Sequence, residues 1–91
     1  MSEITLFCGT KNQTTFDLKN ELSLVDIDEM DNDLLVTVDL CGITIEYIST
    51  SEGLELDSAY IMDGGYSFLP LEEFDNQTLK NHVEQLVMEN I

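Results

Sequence analysis

The sequence predicts an α+β fold: an antiparallel β-sheet of four to six strands, built from hairpins in a meander, with a C-terminal α-helix packed on one face. Three observations predict it. Residues 34–40 and 43–48 alternate apolar and polar side chains on either side of Cys41-Gly42, residues 54–62 alternate again before Asp63-Gly64-Gly65, and Leu79, Val83, Leu86 and Val87 recur at helical spacing. At 91 residues the chain has room for one core, so residues 1–91 are read as a single compact acidic domain. Its apolar fraction of 43% is that of a folding chain, not of a disordered one.

Taken in order, residues 4–8 are β-rich and end at Gly9, which marks a first strand. Residues 15–18 read as a short second strand, and residues 22–27 as a third, ahead of an acidic run over residues 26–33. In the central hairpin a two-residue loop at Cys41-Gly42 pairs Leu40 with Ile43, Val38 with Ile45 and Val36 with Tyr47. All six then share one face, while Thr37, Asp39 and Glu46 take the other. Cys-Gly is not the favoured turn pair, but a four-residue loop would preserve the same parity. Next, Leu54, Leu56, Tyr60 and Met62 alternate with Glu55, Asp57 and Ile61, and the Asp-Gly-Gly signal leads into a strand at residues 66–69. Pro70 stops that strand, and residues 71–74 suit a helical turn. The last element is a helix capped by Asp75 or Asn76, whose apolar stripe needs a sheet face to cover. The other sheet face is left wet.

Charge is the outlying property. Nineteen Asp and Glu stand against three Lys and no Arg, a formal net charge of −16, and residues 20–79 contain no basic side chain. Salt bridges within that stretch are therefore impossible. Charge at this density opposes compaction, raises solubility and speeds encounter with a cationic surface. It also excludes direct nucleic-acid binding, because affinity for phosphate backbones comes from Lys and Arg displacing counterions.

The sequence holds little that catalyses. Cys8 and Cys41 are too few and too distant for a disulfide framework or a zinc site, and both are read as small apolar residues. The acidic run invites a calcium loop, but an EF-hand register starting at Asp26 places Met30 at a ligand position and Asp31 where Gly is required; no metal is expected. His82, the only imidazole, flanks the helix stripe. No nucleophile has a basic partner and no glycine-rich phosphate loop occurs, so no enzymatic activity and no cofactor are expected. The Asn-Gln-Thr triplets at Asn12 and Asn76 match a glycosylation sequon, which matters only in a secreted chain. The N-terminus shows no basic leader followed by an apolar run, and there is no stretch of ~18 apolar residues. A cytoplasmic location is the expectation, with no membrane partner.

In charge and length the chain resembles the phage-encoded inhibitors that mimic DNA, a functional group that includes anti-restriction proteins, anti-CRISPR proteins and inhibitors of uracil-DNA glycosylase. Those proteins share no single fold, so the resemblance implies a mode of action and no particular residues. Duplex DNA shows one negative charge per ~1.7 Å of axis, and carboxylates at high density can occupy the groove that receives it. The expected function is stoichiometric inhibition, with the partner a basic nucleic-acid-binding or nuclease protein. The residues expected to contact it are Asp26, Asp28, Glu29, Asp31 and Asp33, then Glu52, Glu55 and Asp57, with Tyr60 or Tyr66 as apolar anchors. An immunity protein or antitoxin against a nuclease toxin would use the same carboxylates. An interaction module unrelated to nucleic acid would instead bind through apolar surface.

Overall fold

A computed structural model of the chain describes residues 3–7, 13–62, 66–68 and 74–90. Strands β1 (Glu3–Phe7) and β2 (Gln13–Asp17) form an antiparallel hairpin, and the one-turn helix α1 (Leu18–Glu21) leads into β3 (Leu22–Met30). There follow β4 (Asp33–Leu40), β5 (Ile43–Thr50), β6 (Gly53–Met62) and the short β7 (Tyr66–Phe68), each antiparallel to the one before, in the spatial order β3-β4-β5-β6-β7. Helix α2 (Gln77–Asn90) is the last element described. The architecture is the α+β meander with a C-terminal helix that the hydrophobic pattern predicts, with the small N-terminal hairpin beside it.

The β4–β5 hairpin has the expected register. Leu40 pairs with Ile43, Val38 with Ile45 and Val36 with Tyr47, and all six side chains are buried. They join Leu79, Val83 and Val87 of α2, Ile4 and Phe16 of the N-terminal hairpin, and Leu18, Leu22, Leu54, Ala59 and Phe74 in one core cluster. The apolar stripe of α2 therefore lies on the core face of the sheet, and β1–β2 extends the cover. Asn76 caps the helix by accepting hydrogen bonds from the backbone N–H groups of Thr78 (2.9 Å) and Leu79 (3.1 Å), which satisfies two of the donors that a helix start leaves unpaired.

Four sequence expectations change. Residues 15–18 are not one strand: Asp17 ends β2 and caps α1, accepting from Lys19 N–H (3.2 Å), while Glu21 accepts from Asp17 N–H (2.7 Å). This local network competes with the extended form and turns Leu18 fully into the core. The third strand does not stop at Ile27 but runs through the acidic segment to Met30, so only Asp31 and Asn32 form the turn. Cys41 is exposed and not packed as a small apolar residue. With φ of 50° at Cys41 and 93° at Gly42, the pair has the two positive φ values of a type I′ turn, whose twist matches that of the strands it joins.

The fourth change concerns the faces of β6. Tyr47 pairs with Leu56 but Glu46 pairs with Ser58, so Asp57 is an extra residue, a β-bulge. Beyond it the parity inverts: Ala59 is buried beside Leu54 on the core face, and Tyr60 turns to the opposite face from Leu54 and Leu56. The Asp63-Gly64-Gly65 turn, Pro70, residues 71–73 of the turn expected at 71–74, and Cys8 lie outside the described residues, although Met62 pairs with Tyr66 as a hairpin there requires. No helix among the described residues is long and apolar enough to cross a membrane.

Tyr47 is the largest fully buried side chain, and its hydroxyl has no hydrogen-bond partner among the described residues. Burial, assisted by the Asp75 carboxylate, holds the phenol far above its usual pKa, so it stays neutral and its desolvation is a cost to folding. Replacing it is therefore expected to be free of penalty: Tyr47→Phe should leave the unfolding free energy from urea denaturation unchanged or raise it by up to ~1 kcal/mol. A loss of more than ~1 kcal/mol would mean that the hydroxyl is bonded. At the β4–β5 turn, Cys41→Asn should stabilise the fold by up to ~1 kcal/mol in the same assay, since Asn tolerates the left-handed region better than Cys does.

Candidate functional site

Paired residues in a sheet share a face, so the register assigns every outward side chain. Opposite the core, one row across the sheet reads Ser23, Asp39, Thr44, Tyr60 and Phe68. The next reads Asp26, Thr37, Glu46 and Ser58; the third reads Asp28, Leu35, Ile48 and Glu55; and Met30 with Asp33 closes the end. Six carboxylates thus share the face that α2 does not cover. Neighbours along one strand face stand ~6.7 Å apart and adjacent strands ~4.8 Å, so Asp26 and Asp28 are one such step apart, and Asp26 and Glu46 are two strands apart at ~10 Å.

Two bulges create this arrangement. In β3, Leu24 pairs with Val38 but Asp26 pairs with Thr37, leaving Val25 as the extra residue, 60% exposed. Leu22 and Leu24 before the bulge and Ile27 after it face the core, so Asp26 and Asp28 are turned outward. Without the bulge the same two aspartates would continue the core-facing parity of Leu22 and Leu24. In β6 the bulge at Asp57 has the same effect on Ser58 and Tyr60.

Not every expected contact residue lies on this face. Asp26, Asp28, Asp33 and Glu55 do. Glu29 pairs with Leu34 on the core-facing side but is exposed at the sheet end, Asp31 and Glu52 sit in the β3–β4 and β5–β6 turns, and Asp57 is exposed at its bulge. Both turns lie at one end of the sheet, so Glu29, Asp31 and Glu52 extend the anionic surface around that end. Asp39 and Glu46 also lie on this face, outside the expected set; their signal is the polar parity opposite Val38 and Ile45. Tyr60 is half-buried and lies on the face, while the side chain of Tyr66 is outside the described residues.

The electrostatics follow from the geometry. Among the described residues the basic side chains are Lys19 in α1 and Lys80 in α2, both off the sheet, and none of its strands carries one. Asp28 has its pKa raised, first by a hydrogen bond with Asp26, then by the Asp26 charge, with slight desolvation adding to both. Two carboxylates on neighbouring positions of one face share a proton more readily than isolated ones do. Glu46 is held differently, accepting from Ser58 Oγ (2.9 Å) at Oε1 and from Tyr60 Oη (3.3 Å) at Oε2. The tilted ring of Phe68 stands 5.7 Å from that of Tyr60, and Phe68 is 71% exposed.

Elsewhere, a hollow of about 220 Å³ on α2 is lined by Thr78, Asn81, His82 and Gln85. Among the described residues no group of three or more His, Cys, Asp or Glu converges as metal ligands would. No protein-family model, curated protein or solved structure matches the chain.

The Asp26–Asp28 pair gives a pH dependence with a definite sign. A carboxyl with its folded pKa raised above the ordinary 3.8 binds its proton more tightly in the folded state, so the contribution from this group is most favourable to folding at low pH. It is lost as pH rises from 3.8 through the raised value. Carboxyl-detected NMR titration should find Asp28 above 3.8 and bring it down towards that value in Asp26→Asn. An Asp28 midpoint that does not move in the variant would show that the pair is not coupled.

Proposed function

We propose that this protein is a non-catalytic, stoichiometric inhibitor whose anionic sheet face occupies the basic nucleic-acid-binding surface of a partner protein. The observation that carries the reading is the face of β3–β6 that no described element covers, where Asp26, Asp28, Asp33, Asp39, Glu46 and Glu55 stand on a strand lattice free of basic residues. Phosphates on a duplex offer a partner's Lys and Arg the same thing: negative charge repeated at fixed spacing on a stiff support. The pleat holds the carboxylates without the entropy that a flexible acidic tail would lose on binding. On this reading the protein belongs functionally with DNA mimics of the anti-restriction and anti-CRISPR kind, and its partner is a nuclease or other nucleic-acid-binding protein.

Each exposed charge pair contributes about 0–1 kcal/mol, so association depends on the sum and weakens with salt. A competing reading, an interaction module that binds through apolar surface, draws on exposed Phe68 together with half-buried Leu35 and Ile48. Salt separates the two. Basic nucleases captured on the immobilised protein should be released by duplex DNA, with affinity falling steeply as ionic strength rises. Replacing Asp26, Asp28, Asp33 and Asp39 together by Asn should weaken capture by about tenfold or more and flatten that slope, if each contributes even ~0.4 kcal/mol. Glu84→Gln with Glu89→Gln on the opposite side should do neither. If the fourfold variant retains both affinity and slope, the mimicry reading is wrong.

A further inference from the structure

Among the carboxylates of the outer face, Glu46 differs in being held from two sides. Ser58 Oγ donates to Oε1 at 2.9 Å and Tyr60 Oη donates to Oε2 at 3.3 Å, so the plane of the carboxylate is fixed. A carboxylate has about four acceptor positions, two on each oxygen. One bond to each leaves each oxygen a second position, the pattern that a planar guanidinium fills with two parallel N–H donors. Glu46 is also half-buried between Thr37 and Ser58 in its row, where lower effective polarity strengthens a charge-assisted bond relative to one in open water.

The second element is the aromatic wall beside it. Tyr60 lies on the same face two residues from Ser58, and Phe68 pairs with Tyr60 on β7, with ring centroids 5.7 Å apart and planes inclined by 59°. Phe68 is 71% exposed on this edge, an unusual fate for a phenylalanine on a sheet this charged. Guanidinium groups stack on aromatic faces within ~6 Å of the ring centre, and their weak hydration makes them better at this than ammonium groups. Asp39, in the same row as Tyr60, adds further negative charge.

We propose that Glu46, Tyr60 and Phe68 form an arginine-recognition site, which takes the guanidinium of one arginine on the basic partner and discriminates against lysine. The inference rests on the anionic-face reading and adds to it a point of chemical selectivity. The rest of the face attracts any cation; this corner supplies the planar, two-point contact and the stacking surface that only arginine uses in full. Tyr60 has two roles, since its hydroxyl orients Glu46 and its ring forms half of the wall.

The test compares deca-arginine and deca-lysine binding to the intact protein by calorimetry at physiological ionic strength. The arginine peptide should bind at least about tenfold more tightly. Glu46→Gln and Phe68→Ala should each bring that ratio towards one, with salt-dependent binding of both peptides kept. Asp28→Asn, which removes the same charge elsewhere on the face, should weaken both peptides alike and leave the ratio intact. Tyr60→Phe separates the two roles of the tyrosine and should lower the ratio without abolishing it. Circular dichroism checks each fold, and exposed Phe68 gives a variant with no core to disturb. A ratio near one for the unaltered protein, or a ratio that survives both Glu46→Gln and Phe68→Ala, overturns the arginine site and leaves the anionic-face reading standing. If neither peptide binds, both fall.

Discussion

Everything in this molecule depends on confining burial to one side of the sheet. Val36, Val38, Leu40, Ile43, Ile45 and Tyr47 fill the core face of a single hairpin, and α2 together with β1–β2 covers them. Because that cover takes up the apolar stripe of α2 and the inner residues of every long strand, the opposite face is released from the demands of packing. Six of the nineteen carboxylates of this chain stand on that face. The alternative, spreading them over both faces, would bury some of them, and an unpaired buried carboxylate costs several kcal/mol or loses its charge.

The two β-bulges are the means by which this separation is achieved. Strict alternation would carry Asp26 and Asp28 onto the face of Leu22 and Leu24, and Ser58 and Tyr60 onto the face of Leu54 and Leu56. One extra residue at Val25 and another at Asp57 reverse the parity. The same step that returns Ile27 and Ala59 to the core therefore assembles the outer face, places two aspartates one pleat repeat apart, and brings Ser58 and Tyr60 to Glu46. A bulge also increases local twist and interrupts the ladder. On β3, which is an edge strand, that interruption together with flanking charge discourages pairing with another copy.

Much of the fold was legible because the strongest signals are local. The β4–β5 register follows from parity and a two-residue loop, and α2 from a stripe at Leu79, Val83 and Val87 with an Asn cap. The inverted parities were less so, since a period of two was assumed to persist. Their trace is nonetheless present: core residues at 22, 24 and 27, and at 54, 56, 59 and 61, show a step of three among steps of two. Helix α1 was missed because four residues give no period; its cause is side-chain capping by Asp17 and Glu21. Of the residues on the outer face, Asp26, Asp28, Asp33 and Glu55 belong to the set expected from charge alone. Asp39 and Glu46 lie outside that set because isolated acids on alternating strands do not form a run, although the sheet gathers them across strands.

Charge density and stability oppose one another here in a way that bears on function. Asp26 holds the pKa of Asp28 up, first through their hydrogen bond and then through its charge, and no strand of the sheet contains a cation to offset that charge. Such an arrangement is unfavourable in the free protein and becomes favourable when an external basic surface supplies the missing counter-charge. Solubility alone would be served by carboxylates on flexible turns or on the exposed side of α2, where they repel less. Their placement on a sheet face that no described element covers, with one glutamate oriented by two hydroxyls and an exposed phenylalanine on the same face, is what the proposal of a cationic partner draws on, beyond keeping the protein dissolved.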